Sequence, residues 1–425
     1  MKIGEWHERS FFIELKPRAE FASLFVDCPP HEGAKEGACS DVVRVGEHWV
    51  VLEESPEGSG GAAGGEEETH SFRARIDDLS LSPESICAPT WTDNHRLFMC
   101  KVHADAAHLP LVPKTFHRLA RDMTTTTDLE EFVEASAGGG LFIECTGCGA
   151  KLVEKKPGEC SISAMPSEDF LETSPGGDFY CRDTCGAQCD PFKHSHHGDR
   201  AVIGTQARHD EWTPRPDYAL MSNTTIVVHR ETLVRDAVTF EEKMAVCGAC
   251  NQPLGALVKN HASFVALHDS VTSIRTNQPK SYLETRFCDM AQFFALLILG
   301  QCEAQSSLKL VIRSLDKTPH ILVWLLDSYV VLASGDLVDG REPASAANCP
   351  AFPAIKMLYK VFDANTAASD PRANGEDASV GLMDVPLGCA LKIVELLLQS
   401  SHTLPPACRS VGQFYVGFLN ISDSI

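Results

Sequence analysis

Apolar residues fall in short runs through the first hundred positions. Phe11, Phe12, Ile13 and Leu15 form one run, and Phe21, Leu24, Phe25 and Val26 form another. Val42, Val43 and Val45, followed by Trp49-Val50-Val51-Leu52, predict a hairpin turned at Gly46-Glu47-His48. Short strands resume at 72–76 and 96–102, a spacing that predicts an amino-terminal β-rich module, sandwich-like or barrel-like. Residues 54–69 are rich in glycine and glutamate, cannot bury a core, and predict a disordered loop. A helix is predicted over 129–135, with Thr127 or Asp128 as its cap, ending before Gly138-Gly139-Gly140.

From Ser281 the texture changes. Residues 285–303 are apolar almost all round, which predicts a buried helix; its polar ends and Gly300 argue against a membrane span. Strands are predicted at 308–313, 321–326 and 329–333, with Asp316-Lys317 and Asp327-Ser328 at the turns. Residues 336–352 read as a loop, 354–362 as a strand or short helix, and 363–379 as a solvated insertion. A helix over 387–399 and a closing strand over 412–419, apolar on both faces, complete this part. The fold class is α+β, with a β-rich amino-terminal module (1–138), a zinc-pinned β-hairpin central domain (139–280), and a carboxy-terminal antiparallel sheet covered by helices (281–425). No internal repeat is evident.

The central part carries the clearest chemistry. Cys145-Thr146-Gly147-Cys148-Gly149 and Cys247-Gly248-Ala249-Cys250-Asn251 are two Cys-x-x-Cys turns, and each is followed by apolar residues. Four thiolates complete a tetrahedral shell for a structural zinc ion. Gly149 and Asn251, which follow the second cysteines, tolerate the left-handed backbone that a tight metal-binding turn requires. The pairs lie roughly a hundred residues apart, against the usual 15–20 of a zinc ribbon, so a long insertion between two hairpins is implied. The alternative is two unrelated reduced turns or a redox pair, although neither turn opens a helix after a strand as a redox pair does. Within the insertion, Cys181, Cys185 and Cys189 precede His194, His196 and His197, which is either a second zinc site or a histidine-rich polar loop.

Composition narrows the class. The 425 residues allow two or three domains. The charged amino terminus lacks the apolar core of a secretion signal, so the seventeen cysteines read as thiols and metal ligands. A net charge of −21 without a basic cluster excludes direct nucleic-acid binding, and no apolar window is long enough for a membrane span. Nucleotide-binding loops, dinucleotide fingerprints and Ser-His-Asp patterns are missing.

The segments ECTGCGAKL, YCRDTCGAQCDPF, AVCGACNQPLG, FCDMAQFFALLILGQCEAQSSLKLVIRS, HILVWLL, AIKMLYK and VGQFYVGFL occur in an order that resembles the HECT-like ligases described as binding ubiquitin-conjugating enzymes. The resemblance covers about two thirds of the chain, from Leu141 onward. The two knuckles also resemble the metal-pinned β fold of yippee-like and cereblon carboxy-terminal domains, which implies one zinc on Cys145, Cys148, Cys247 and Cys250. The family implies a ubiquitin ligase that accepts ubiquitin from a conjugating enzyme and passes it to a substrate protein, in cytoplasm and nucleus. Some members are tied to mRNA 3′-end processing as partners of the cleavage endonuclease, which implies the alternative of a non-catalytic zinc-stapled adaptor or chaperone. True HECT domains carry their thioester cysteine in a Leu-Pro-x-x-x-Thr-Cys segment; here Val385-Pro386-Leu387-Gly388-Cys389 has the proline, a shorter spacing and no threonine. Cys389 is the candidate nucleophile, because the start of a helix lowers a thiol pKa. Against this, its stripe with Ile393 and Leu396 reads as core packing.

Overall fold

The computed structural model describes residues 6–29, 41–54, 70–92, 96–106, 127–168, 170–173, 212–259, 261–340 and 348–422. The α+β class holds: antiparallel sheets dominate, and the two longest helices among the described residues lie toward the carboxy end. Among the described residues no helix is long and apolar enough to cross a membrane. The cluster Cys181, Cys185, Cys189, His194, His196 and His197, and residues 55–69, lie outside the described residues.

The largest sheet is organised around one strand, Pro319–Asp336. Along one edge its first half pairs with Lys309–Ser314 and its second half with Ser10–Lys16; along the other it pairs with Phe352–Val361. The sheet continues through Phe21–Asp27, Leu97–Ala106 and Leu79–Thr92 on one side and through Phe414–Asn420 and Ser410–Val411 on the other. The segments 1–138 and 281–425 therefore share one sheet, and the amino-terminal strands do not form a sandwich or barrel of their own. A four-stranded sheet repeats the pattern, since Val338–Asp339 pairs with His70–Arg75, next to Trp49–Glu54 and Val42–Val45.

Local signals mislead where a polar pair can be absorbed. Asp327-Ser328 is not a turn: register shifts on both sides of Asp327 let the strand run through as an irregular bend. The helix predicted over 285–303 is two helices. Ser281 and Glu284 form a capping box that starts Tyr282–Arg286, and Asp289 accepts the Ala291 N–H at 2.9 Å to start Met290–Ala304. The insertion over 363–379 is ordered by a second capping box, Asp363 with Thr366, and by the buried carboxylate of Asp370 held between Lys360 and Arg372. Gly412, at φ 61°, is the turn between the last two strands rather than part of one.

One core lies between the inner face of the large sheet (Phe11, Ile13, Leu15, Val331), the four-stranded sheet (Val50, Leu52, Ala74), and the helices Met290–Ala304 and Leu387–His402. A second core fills the central unit, where a seven-stranded sheet faces a three-stranded one. A repeat without a sequence signature is present in the structure. Each knuckle hairpin has a counterpart strand that ends in histidine and a 3₁₀ turn: Thr225–His229 with Arg230–Thr232, and Phe264–His268 with Asp269–Val271. In both, the histidine Nδ1 accepts the N–H two residues on, from Glu231 at 3.3 Å and from Ser270 at 3.2 Å.

Candidate metal centre

The two knuckles belong to different sheets. Leu141–Cys145 and Lys151–Lys155 form a hairpin in the three-stranded sheet with Thr272–Arg275. Met244–Cys247 and Pro253–Leu257 form a hairpin in the seven-stranded sheet. Their turns are near copies. Cys145 N–H donates to Ala150 O and Gly149 N–H to Cys145 O at 2.9 and 2.8 Å; Cys247 N–H donates to Gln252 O and Asn251 N–H to Cys247 O, both at 2.9 Å. Gly149 and Asn251 stand at φ 73° and 60°, the left-handed region predicted for both.

This geometry brings Cys145, Cys148, Cys247 and Cys250 together, with all four sulfurs within 4.8 Å of one another. Cys145 Sγ lies 3.7 Å from Cys250 Sγ, and Cys148 Sγ lies 3.7 Å from Cys247 Sγ. A tetrahedral site with metal–sulfur bonds of about 2.3 Å has sulfur–sulfur edges of about 3.8 Å. The cross-knuckle distances therefore match a four-thiolate shell and are far too long for disulfides. The first cysteine of each turn is buried and the second exposed.

The electrostatics agree with that donor set. Burial, together with the Cys250 and Cys247 thiols, pushes Cys145 up to about 12. Burial also raises Cys247, but the N–H groups of Ala249 and Cys250 and the Cys148 and Cys250 thiols outweigh it and bring it down to about 7. One sulfur is thus ready to ionise, while its crowded neighbour resists adding a second negative charge. A divalent cation among them removes that resistance, and backbone N–H groups aimed at the sulfurs already stabilise thiolates. The residues fit a structural metal. Gln252 packs across the centre: its Oε1 is 3.6 Å from Cys145 Sγ, and a side chain on Gly147 would collide with it.

Cys389 is not brought into this cluster. It lies in the first turn of Leu387–His402 and is 1% exposed. Burial pushes its thiol up to about 12, with a hydrogen bond from Ser270 acting the other way. The helix start predicts a depressed pKa; desolvation wins, because Cys389, Ala390, Ile393 and Leu397 form the inward face of the helix. Ser270 Oγ is in turn 2.7 Å from Nδ1 of His268, whose burial lowers its pKa to about 4. Next to them is Asp269, fully buried with no hydrogen-bond partner among the described residues for either carboxylate oxygen. No sequence pattern signals this group; the structure alone shows it, in the second of the two histidine-ended strands and their 3₁₀ turns.

The chain is similar to curated proteins named as E3 ubiquitin-protein ligases. It is 24% identical to one from Bos taurus over 223 residues, covering 50% of this chain and 55% of that protein. It is 23% identical to one from Homo sapiens over 186 residues, covering 41% and 47%. The chain spans about half the length of these curated relatives. No solved structure matches it significantly. Residues 108–416, which hold both knuckles and both long helices, match the family described as HECT-like ubiquitin-conjugating enzyme (E2)-binding, and the chain belongs to that family.

Proposed function

We propose that this protein binds a ubiquitin-conjugating enzyme and promotes transfer of ubiquitin from that enzyme's own cysteine to a lysine of a substrate protein, without a thioester on Cys389. In that reaction the neutral substrate amine attacks the thioester carbonyl, the carbon–nitrogen bond forms as the carbon–sulfur bond breaks, and the amine's proton ends on the departing sulfur of the conjugating enzyme or in solvent. The ligase supplies position, not a nucleophile. The observation that carries this reading is the burial of Cys389: a thiol held at about 12 and closed off from solvent cannot accept ubiquitin from a bulky carrier. The names of the relatives support a ligase role, and the family description supports the partner.

Zinc is the metal that fits the four sulfurs, and it would be held by Cys145, Cys148, Cys247 and Cys250. Bound there, it supplies a cross-link between the two sheets of the central unit and no chemistry on substrate.

The test is discharge of loaded conjugating enzymes to free lysine, read on non-reducing gels, with wild type and Cys389→Ser, which keeps nearly the same volume. We expect both proteins to accelerate discharge equally and to carry no reductant-sensitive adduct. An adduct that disappears in Cys389→Ser would overturn the reading in favour of covalent transfer. No acceleration across a broad panel would leave the non-catalytic adaptor of the 3′-end endonuclease.

A further inference from the structure

The two knuckle turns are near copies that part at one position. Ala150 O accepts the Cys145 N–H, and at the matching place Gln252 O accepts the Cys247 N–H, each at 2.9 Å. Ala150 ends in a methyl group. Gln252 carries an amide on a flexible stem, and that amide leaves its own knuckle and crosses to the other one. Its Oε1 lies 3.6 Å from Cys145 Sγ, in space that a side chain on Gly147 would fill. Gly147 has no left-handed φ, and the Gln252 side chain is the only group that a Cβ there would collide with.

The other end of the amide faces a different part of the molecule. Gln252 Nε2 is 3.6 Å from where a side chain on Gly388 would begin, in the first turn of Leu387–His402. That helix starts at Pro386, which makes no side-chain capping bond to the first N–H groups. The same turn also rests on Asp269–Val271: Ser270 hydrogen-bonds Cys389, Val271 faces Gly388, and Val271 O accepts the Thr146 N–H of the first knuckle at 3.1 Å. The metal centre and the start of the helix therefore meet by two routes, and Gln252 is the one whose side chain reaches a ligand sulfur.

The neighbours orient the amide. A thiol can donate to Oε1, but a sulfur bound to a metal has no proton and only accepts. The helix start presents N–H donors and the positive end of its dipole. Both sides then call for the same arrangement, with Nε2 toward Cys145 and Oε1 toward Gly388. A half turn about the last bond of the side chain supplies it, because the two ends of an amide have nearly the same size.

We propose that Gln252 is a positioning residue of the metal centre, whose amide donates Nε2–H to the metal-bound sulfur of Cys145 and presents Oε1 to the first turn of Leu387–His402. The inference rests on the four-cysteine zinc reading above and adds what joins that centre to the helix packed in the main core. Holding the sulfur and seating the helix become one interaction, so each stabilises the other.

The test uses the full chain loaded with zinc, in wild type and two variants. Gln252→Met keeps most of the side chain's length and loses its N–H; Gly147→Ala leaves Gln252 intact and pushes its amide aside. The readings are the rate of zinc transfer to a chelating dye, the sulfur-to-metal absorption bands of the cobalt(II)-substituted protein, and hydrogen exchange over 387–391. Expected for both variants are zinc loss at least about tenfold faster, shifted cobalt bands, and lower protection over 387–391. The double variant should be no worse than either single one. Either variant suffices if the other does not fold. A wild-type rate and wild-type cobalt bands in Gln252→Met mean that the side chain only fills space; they overturn the proposal and leave the zinc reading in place. So does a wild-type rate in Gly147→Ala. A wild-type chain that binds no zinc overturns both.

Discussion

Asp269 is the side chain most at odds with its surroundings. It is 1% exposed, and neither oxygen has a hydrogen-bond partner among the described residues. Burial, followed by the nearby Glu168, holds its pKa well above 3.8, with Arg286 acting against them. A carboxyl raised in the folded state binds protons there that the unfolded chain has released. Its contribution to stability is full below about 4 and is lost as pH rises through the folded value. His268 works the other way: lowered to about 4 from 6.5, it removes stability as pH falls between those values. Asp269→Asn should therefore raise stability at neutral pH by about 1–3 kcal/mol and steepen the loss on acidification. Thermal melts from pH 4 to 8 check this; curves that superimpose on wild type would show the carboxylate to be satisfied. At this scale the sequence is half legible. Gly149 and Asn251 announce left-handed turns because few residues tolerate them. Cys389 is ambiguous, because a helix start and a helix core make opposite demands on a thiol and only the packing decides between them. Asp269 is invisible, because burial of a polar residue leaves no mark on local pattern.

Among the elements, Phe414–Asn420 bears the greatest load. It lies between Ser410–Val411 and Phe352–Val361, with Val416 and Phe418 in one core and Leu419 in another. Gly417 is closed in by Leu397, Tyr359 and Ser400, so the helix Leu387–His402 rests directly on the strand. Removal of residues 411–425 should expose both cores and abolish the cooperative melt of the large sheet; a soluble truncation that melts cooperatively would refute this. The strand itself is legible, since its two apolar faces stand out in the sequence. Its partners are not. Strand periodicity reports which residues are buried and is silent on register, so the pairing of Ser10 with Asp336 has no local signature. The same limit splits Pro319–Asp336 at Asp327, where a polar pair reads as a turn until a neighbouring strand supplies hydrogen bonds on both sides.

At the scale of the molecule, the two knuckles join two sheets that share one core. Chelation of zinc should loosen the central unit and spare the large sheet. Hydrogen exchange is the measurement: residues 141–155, 244–257 and 272–275 should lose protection, and 10–27 and 319–336 should keep it. Uniform loss would mean that the metal supports the entire chain, and no change would remove it from the fold. Metal analysis adds a stoichiometry: one zinc per chain belongs to the four cysteines, and a second would bring in the cysteines and histidines of 181–197.

The position of Ser10–Lys16 in the middle of the large sheet has a consequence for how the protein is made. This strand leaves the ribosome about 300 residues ahead of its partner Pro319–Asp336, which at synthesis rates of roughly 5–20 residues per second is on the order of tens of seconds. The central unit, whose strands run from Leu141 to Arg275, has every one of its partners before that wait ends. A metal held by the four cysteines would therefore act on the unit that completes first. The amino-terminal strands can pair with one another at once, but the open edge of Ser10–Lys16 must be kept from other chains until the carboxy-terminal third arrives.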